Sequence, residues 1–356
     1  MKIWKSFPDF STFTAVMKPL RSHINKADEK EGLHMKQLAK RIILLLFLLY
    51  SIPQNVFAAD TLIPVGQVVG LELKNDRLTV AAFDDALGAN ARDGGLQVGD
   101  VLLRLDGTVV HTPADVQEAL NHARGIVEVT VLRGGDEIKL RLNPVITATG
   151  PRLGVHLRQG VTGIGTVTWY DPETHTFGAL GHGVNDSNGN LVTMTEGAAY
   201  RAKVQGVRPG KVGAPGQLVG AVTDPEPVGQ LQKNAIQGLF GICTQGWEGS
   251  ALPVCEGAEV HPGKAIIRST VAGGEPREYR VEILKIYPER RADGRNMVIR
   301  ITDPELLKVT GGIVQGMSGS PIIQDGKFVG AVTHVLINDP TRGYGIFIEN
   351  MLEAAG

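Results

Sequence analysis

Forty-five glycines divide this chain into short segments, and no other feature limits its possible folds as much. Glycine weakens helix and strand interiors and is favoured where the backbone turns sharply. Set against only ten Phe, six Tyr and three Trp, that density predicts a mainly β, turn-rich protein. From Gly150 onward, period-two alternation broken by turn dipeptides continues for about 200 residues, enough for two small barrels or a sandwich. With 356 residues in all, two globular units plus accessory segments are expected. A net charge of −1 with no long Lys/Arg stripe argues against a nucleic-acid partner.

The most polarised stretch lies near the start. Lys36, Lys40 and Arg41 precede the apolar run from Ile42 to Tyr50, and Pro53 and Val56-Phe57-Ala58-Ala59 follow. Charge, apolar run and small-residue site, in that order, read as an export signal, and the run is short of the roughly 20 residues that span a bilayer. Residues 1–60 are therefore expected to form a tail and a signal or anchor segment, placing the rest of the chain across the cytoplasmic membrane. Acidic Asp28, Glu29 and Glu31 do not belong in such a signal, which leaves Met1 and Met35 both open as the start. In an oxidising compartment Cys243 and Cys255 could bridge; two unpaired thiols are the alternative. Neither a CxxC pair nor a His cluster accompanies them, so no metal or other cofactor is expected.

Residues 61–147 carry one pattern. The strand Leu78–Phe83 and a helical stretch from Ala86 lead to Gly94-Gly95-Leu96-Gln97-Val98-Gly99-Asp100, the strand Val101–Leu105 and the turn Asp106-Gly107. Thr112-Pro113 opens a helix as N-cap and first-turn proline, and Val127–Val131 pairs through Gly134-Gly135 with Ile138–Leu142 as a hairpin. This order, with the string GGLQVGDVLLRLDG, resembles a bacterial PDZ domain. The resemblance implies a peptide added to a strand edge with its carboxylate in a backbone nest. The matching loop is Val69, Gly70 and Leu71, and the ligand is a peptide or a segment of the chain itself.

Residues 148–356 carry the chemistry. The strand Ile164–Tyr170 turns at Asp171-Pro172 into Thr176–Leu180, and His182 follows between Gly181 and Gly183. A histidine at a strand end between glycines opens onto a cleft with little cover, which suits a general base; a turn histidine bonded to backbone is the plainer alternative. The segment Gly316-Met317-Ser318-Gly319-Ser320-Pro321 suits a nucleophile. Serine needs a base to react and backbone amides aimed at the developing oxyanion. Glycines on both sides let a tight turn present the amides of Gly316 and Ser318 to one point. Chymotrypsin-like peptidases do this with Gly-x-Ser-Gly-Gly-Pro; here Ser320, expected to be structural, replaces the second glycine. The hairpin through Asp325-Gly326 carries His334 on a strand that would border the substrate groove, where it could touch substrate; a satisfied structural histidine is the plainer reading. For the carboxylate that would orient His182, Asp303 fits, although Thr302-Asp303-Pro304 is equally a helix start. Asp186 and Asp171 are rivals.

The strings GIGTVTWYDPETHTFGALGH, ITDPELLKVTGGIVQGMSGSPI and GAVTHVLINDPTRGYGIFIENML resemble the stage IV sporulation protein B peptidase family. That resemblance implies a PDZ domain followed by a chymotrypsin-like double β-barrel serine peptidase. By the same resemblance it would be secreted between mother cell and forespore, would cut a membrane-anchored regulator so that a late sigma factor is processed, and would cleave itself. The family's triad falls on His182, Asp303 and Ser318. A broad quality-control protease places PDZ domains after the catalytic unit, whereas here the PDZ comes first. A catalytically dead scaffold would not retain His182 and GMSGS together.

Overall fold

Strand pairing, rather than position along the chain, draws the module boundaries in this protein. The computed structural model describes residues 61–186, 189–288 and 293–356; the expected export segment lies outside them. Strand β1 (Thr61–Pro64) precedes the long β2 (Val68–Phe83). Helix α1 (Ala89–Asp93), β3 (Val101–Leu105), β4 (Thr108–Val109), helix α2 (Pro113–His122), β5 (Val127–Arg133) and β6 (Asp136–Leu142) follow. A small hairpin, β7 (Val145–Thr147) and β8 (Gly150–Arg152), leads into the long β9 (Val155–Tyr170).

Both long strands are shared. The outer half of β2, Leu78–Phe83, pairs with Val155–Gln159 of β9, and Leu78 and Thr79 pair with Leu102 and Val101 of β3. With β5, β6 and α2 these enclose a core of Leu78, Leu102, Leu120, Val129 and Leu142. Local chemistry holds this unit together. Thr112 and Asp115 form a reciprocal capping box at the start of α2. Asp100, 1% exposed, takes two charge-assisted bonds from Arg133 at 2.6 and 2.7 Å and one from the amide of Gln97, which is why the Gln97–Asp100 turn ends in an acid.

The inner half of β2, Val68–Leu73, pairs on one side with β9 and on the other with β11 (Glu196–Arg208). The register breaks between Leu73 and Leu78, opposite Gly160, whose φ of +86° and 1.8 Å approach of a built Cβ to the Leu73 carbonyl leave room for no side chain at the bend. From β9 the sheet continues through β10 (Thr176–Ala179), β13 (Gly238–Cys243) and β12 (Gln217–Ala235) to β11. The β2–β9 pairing thus closes six strands on themselves, around Leu71, Leu73, Val167, Phe177, Leu231 and Leu239. The PDZ unit is therefore an insertion between two strands of a barrel, rather than the whole of residues 61–147. Val69, Gly70 and Leu71 lie within that barrel wall with partners on both sides, Arg201 to Ala199 and Gly165 to Gly163. A strand with both edges paired cannot accept a peptide, and this corrects the expected binding loop.

A short β14 (Leu252–Pro253) pairs with β1. The second barrel is closed by β15 (Gly263–Ser269), β16 (Arg277–Ile286), β17 (Met297–Ile301), β20 (Asp339–Phe347), β19 (Lys327–Leu336) and β18 (Pro321–Gln324) in that spatial order. Helix α3 (Pro304–Thr310) crosses between β17 and β18, and helix α4 (Ile348–Ala355) ends the chain. The expected Asp325-Gly326 hairpin is formed, with positive φ at both residues. Its core of Ile267, Val281, Ile299, Met317 and Val332 extends onto Val68 and Leu218 of the first barrel, so the barrels share apolar surface. Fold class is thus mainly β, a PDZ domain with a chymotrypsin-like pair of barrels. Cys243 belongs to the first core and Cys255 to the second, both as free thiols; the bridge considered for them is not formed. No helix among the described residues is long and apolar enough to cross a membrane.

Candidate active site

A cleft of about 810 Å³ is lined from the first barrel by Ile164, Leu180 and His182, and from the second by Gln315, Gly316, Ser318 and His334. His182 is there because β10 ends at Ala179 and the two following residues take left-handed backbone, Leu180 at φ +69° and Gly181 at φ +68°, reversing the chain. Ser318 is there because α3 stops at Gly311, also left-handed, and the loop beyond it is tied down at each step.

Those ties decide where the amides point. In a planar trans peptide an N–H lies opposite the preceding carbonyl. The Gln315 carbonyl accepts from Leu218 at 2.8 Å, and the Met317 carbonyl accepts from the amide of Ser320 at 3.0 Å. The amides of Gly316 and Ser318 are turned away from those partners and donate to no acceptor among the described residues. Two fixed, unused donors flanking a serine hydroxyl are what an oxyanion requires.

His182 is half-buried, and its Nδ1 lies 2.9 Å from the Gly183 carbonyl. A carbonyl only accepts, so Nδ1 carries the proton and Nε2 keeps its lone pair. Burial pushes the imidazole below its ordinary value of 6.5, against a smaller opposite effect of that carbonyl. The ring is neutral at pH 7, in the form a base needs. The Ser318 hydroxyl donates to the Thr333 carbonyl at 2.7 Å and must rotate about its Cα–Cβ bond to meet a base, as catalytic contacts in empty sites often must. Ser320 is fully buried and donates to Ser269, a structural place.

None of the three candidate carboxylates is hydrogen-bonded to His182. Asp303 Oδ1 accepts the amides of Glu305 and Leu306 at 3.0 and 3.2 Å, and Oδ2 faces the Arg280 amide and guanidinium, each at 3.4 Å. It is the N-cap of α3, outside the residues that line the cleft. Burial opposes its charge, but the donors from Leu306, Arg280 and Glu305 outweigh it and hold the carboxyl below 3.8. The expected contact to His182 is corrected on this geometry. Asp186 pairs with Arg77 at 3.8 Å, and Asp171 caps its own turn through Glu173 and Thr174. Replacing Asp303 by alanine is therefore expected to cost about 1–2 kcal/mol of cap stability, a fall of several degrees in Tm. The acid limb of a pH–rate profile, set by His182 below pH 6.5, should stay in place. Loss of that limb instead would return Asp303 to the imidazole.

His334 is the residue the sequence misjudged. Its ring centroid is 5.0 Å from that of His182, and its Nδ1 is buried with no partner among the described residues, so it is not a satisfied structural histidine. Burial, then His182 and Arg295, lower its pKa to about 4. The unfolded chain takes up this proton first, near pH 6.5, so stability falls as pH drops from about 6.5 to 4. His334→Gln is expected to flatten the fall of Tm across that window; an unchanged slope would refute the assignment. Asp293 and Arg295, just before β17, also line the cleft. Nothing local in the sequence marked them, because their loop reaches the site only through barrel closure.

A second cavity, of about 510 Å³, lies between α2 and the start of β9, lined by Val116, Leu120, Leu153, Val155 and Leu157. Val155–Leu157 pairs with β2 on one edge, and no strand among the described residues pairs with the other. This open edge beside a helix is where the module can take an added strand.

Two family profiles agree with a PDZ module joined to a peptidase domain. The profile of the SpoIVB peptidase S55 family matches residues 150–352, more than half the chain, and that of a PDZ domain matches residues 87–133. A protein named Putative zinc metalloprotease Atu1380, from Agrobacterium fabrum (strain C58 / ATCC 33970), is 38% identical over 77 residues. The match spans 21% of this chain and 20% of that protein. The solved structure titled Crystal structure of Rv3671c protease, inactive form, superposes at a TM-score of 0.32 with 15% identity, over 55% of this chain and 85% of its own. On the family match, this chain is a serine peptidase that belongs to the SpoIVB peptidase S55 family.

Proposed function

We propose that Ser318 is the nucleophile and His182 its general base. On this reading the enzyme is an exported endopeptidase that makes one regulatory cut in a membrane-anchored signalling protein during endospore formation, so activating a sigma factor. One observation carries the catalytic part. A neutral imidazole with its Nδ1 proton fixed, a serine hydroxyl and two unused amides face one cleft from two barrels. In the reaction Nε2 takes the hydroxyl proton as Oγ attacks the peptide carbonyl, the amides of Gly316 and Ser318 stabilise the oxyanion, and the same imidazole then protonates the departing amine. Gly183 supplies the acceptor that steadies the imidazolium.

Family membership supports the sporulation role, and the PDZ insertion supports selectivity: a groove and the cleft that share strand β9 favour a substrate engaged at two places, a protein rather than a short peptide. Self-cleavage near the N-terminus belongs to the same reading. The test is replacement of the wild-type gene by Ser318→Ala in the encoding organism. Forespores should form, late sigma-dependent genes should stay silent, and the protein should keep its full length. Normal spore yield with this variant would overturn the proposal.

A further inference from the structure

We infer that Thr166 is a positioning residue that sets the oxyanion turn, an assignment that rests on Ser318 being the nucleophile. Thr166 lies on β9, is fully buried, and touches the turn on both sides of the nucleophile. Its hydroxyl donates to the Gly316 carbonyl at 2.7 Å, and its amide donates to the Ser318 carbonyl at 3.2 Å. Its own carbonyl accepts the amide of Leu180 at 3.1 Å, two residues before His182. One side chain and one peptide unit of the first barrel thus hold both the nucleophile's loop and the reversal that carries the base.

The hydroxyl bond controls a specific degree of freedom. Gly316 has φ +99° and no side chain to resist rotation, so the plane between Gly316 and Met317 is held by its hydrogen bonds, the Met317 amide to the Val314 carbonyl at 3.1 Å and the Thr166 hydroxyl to the Gly316 carbonyl at 2.7 Å. If that carbonyl lost its partner it would be a part-buried acceptor left unpaired, in a loop whose Gly316 and Ser318 amides donate to no acceptor among the described residues. A turn in which the Gly316 carbonyl swings inward places negative charge where the oxyanion forms. Thr166 Oγ1 keeps it on the far side. The neighbouring Thr168 hydroxyl, also fully buried, has no partner among the described residues, so a buried threonine in this strand does not by itself find an acceptor; Thr166 has one because the turn is brought to it.

The full-length chain, incubated with a fluorophosphonate probe and resolved into inactivation rate constant and probe affinity, tests this. Thr166→Val keeps the shape and removes the donor. The inactivation rate should fall about 10- to 100-fold, less than the roughly 100- to 1000-fold cost of removing one oxyanion donor outright, with probe affinity within about twofold, while Thr166→Ser recovers most of the rate. Should Thr166→Val not fold, Thr166→Ser against Thr166→Cys compares a strong donor with a weak one of similar size, and the serine variant should be the faster by about tenfold. Equal rates in whichever pair is folded, or a loss confined to probe affinity, would overturn the positioning role while leaving Ser318 as nucleophile. Absence of labelling on wild-type Ser318 would overturn both.

Discussion

Gly319→Ala is expected to abolish probe labelling of Ser318 and to lower the melting temperature. A Cβ built at residue 319 comes within 2.1 Å of the Thr166 carbonyl and 2.6 Å of the Leu180 amide, and φ is +95°. Neither obstacle is the end of a flexible side chain. Both are backbone of the first barrel, Thr166 on β9 and Leu180 in the reversal after β10, tied by the Leu180–Thr166 bond at 3.1 Å, so relief requires the nucleophile turn to lift away from β9. Lifting it breaks the bonds from Thr166 to Gly316 and Ser318 and moves both cleft-facing amides. The strained φ alone costs about 1–3 kcal/mol, and a misplacement of about 1 Å at a reacting atom can cost 100-fold in rate. Probe labelling and differential scanning calorimetry of the variant read the two effects separately. A variant labelled at the wild-type rate would mean that the turn and the barrel are not in the contact described.

Ser318→Ala and His182→Ala should each reduce the rate of the proposed self-cleavage by several orders of magnitude, and the double variant should be scarcely slower than either single one. A hydroxyl without a base and a base without a hydroxyl are equally idle, so residues acting as one unit show strongly non-additive losses. What survives should come from the Gly316 and Ser318 amides, which neither replacement removes. His334 sharpens the test. It lies beside His182 but has no bond to Ser318, so retention of near-normal rate in His182→Ala would pass the base role to His334. Self-cleavage is followed by mass spectrometry of the full-length chain, and additive losses in the two single variants would count against a shared mechanism.

The local pieces of this protein were legible because their causes are local. Thr112-Pro113 opens a helix, Asp325-Gly326 and Gly134-Gly135 close hairpins, and Gly-x-Ser-Gly makes a tight turn, each through backbone preferences that act over four or five residues. Asp303 shows where that ends. Its neighbours already stated that it caps a helix, and the structure uses it so; the catalytic role came chiefly from likeness. The peptide loop was misplaced at Val69–Leu71 because strand composition does not say which edges will be paired. Only the closure of β2 against both β9 and β11 removes those edges, and the same topology leaves Val155–Leu157 open.

Sequence by itself determined that this chain is a glycine-punctuated β protein with a PDZ module and a serine turn, since residue type and spacing fix turns, caps and alternation. Tertiary structure alone decided that the PDZ unit is inserted into the first barrel, that His182 faces the same cleft as Ser318 and His334 of the second barrel, and that Thr166 reaches the nucleophile turn from 150 residues away. Those contacts join segments far apart in the chain, and their geometry follows from how strands close into barrels, which no local preference encodes.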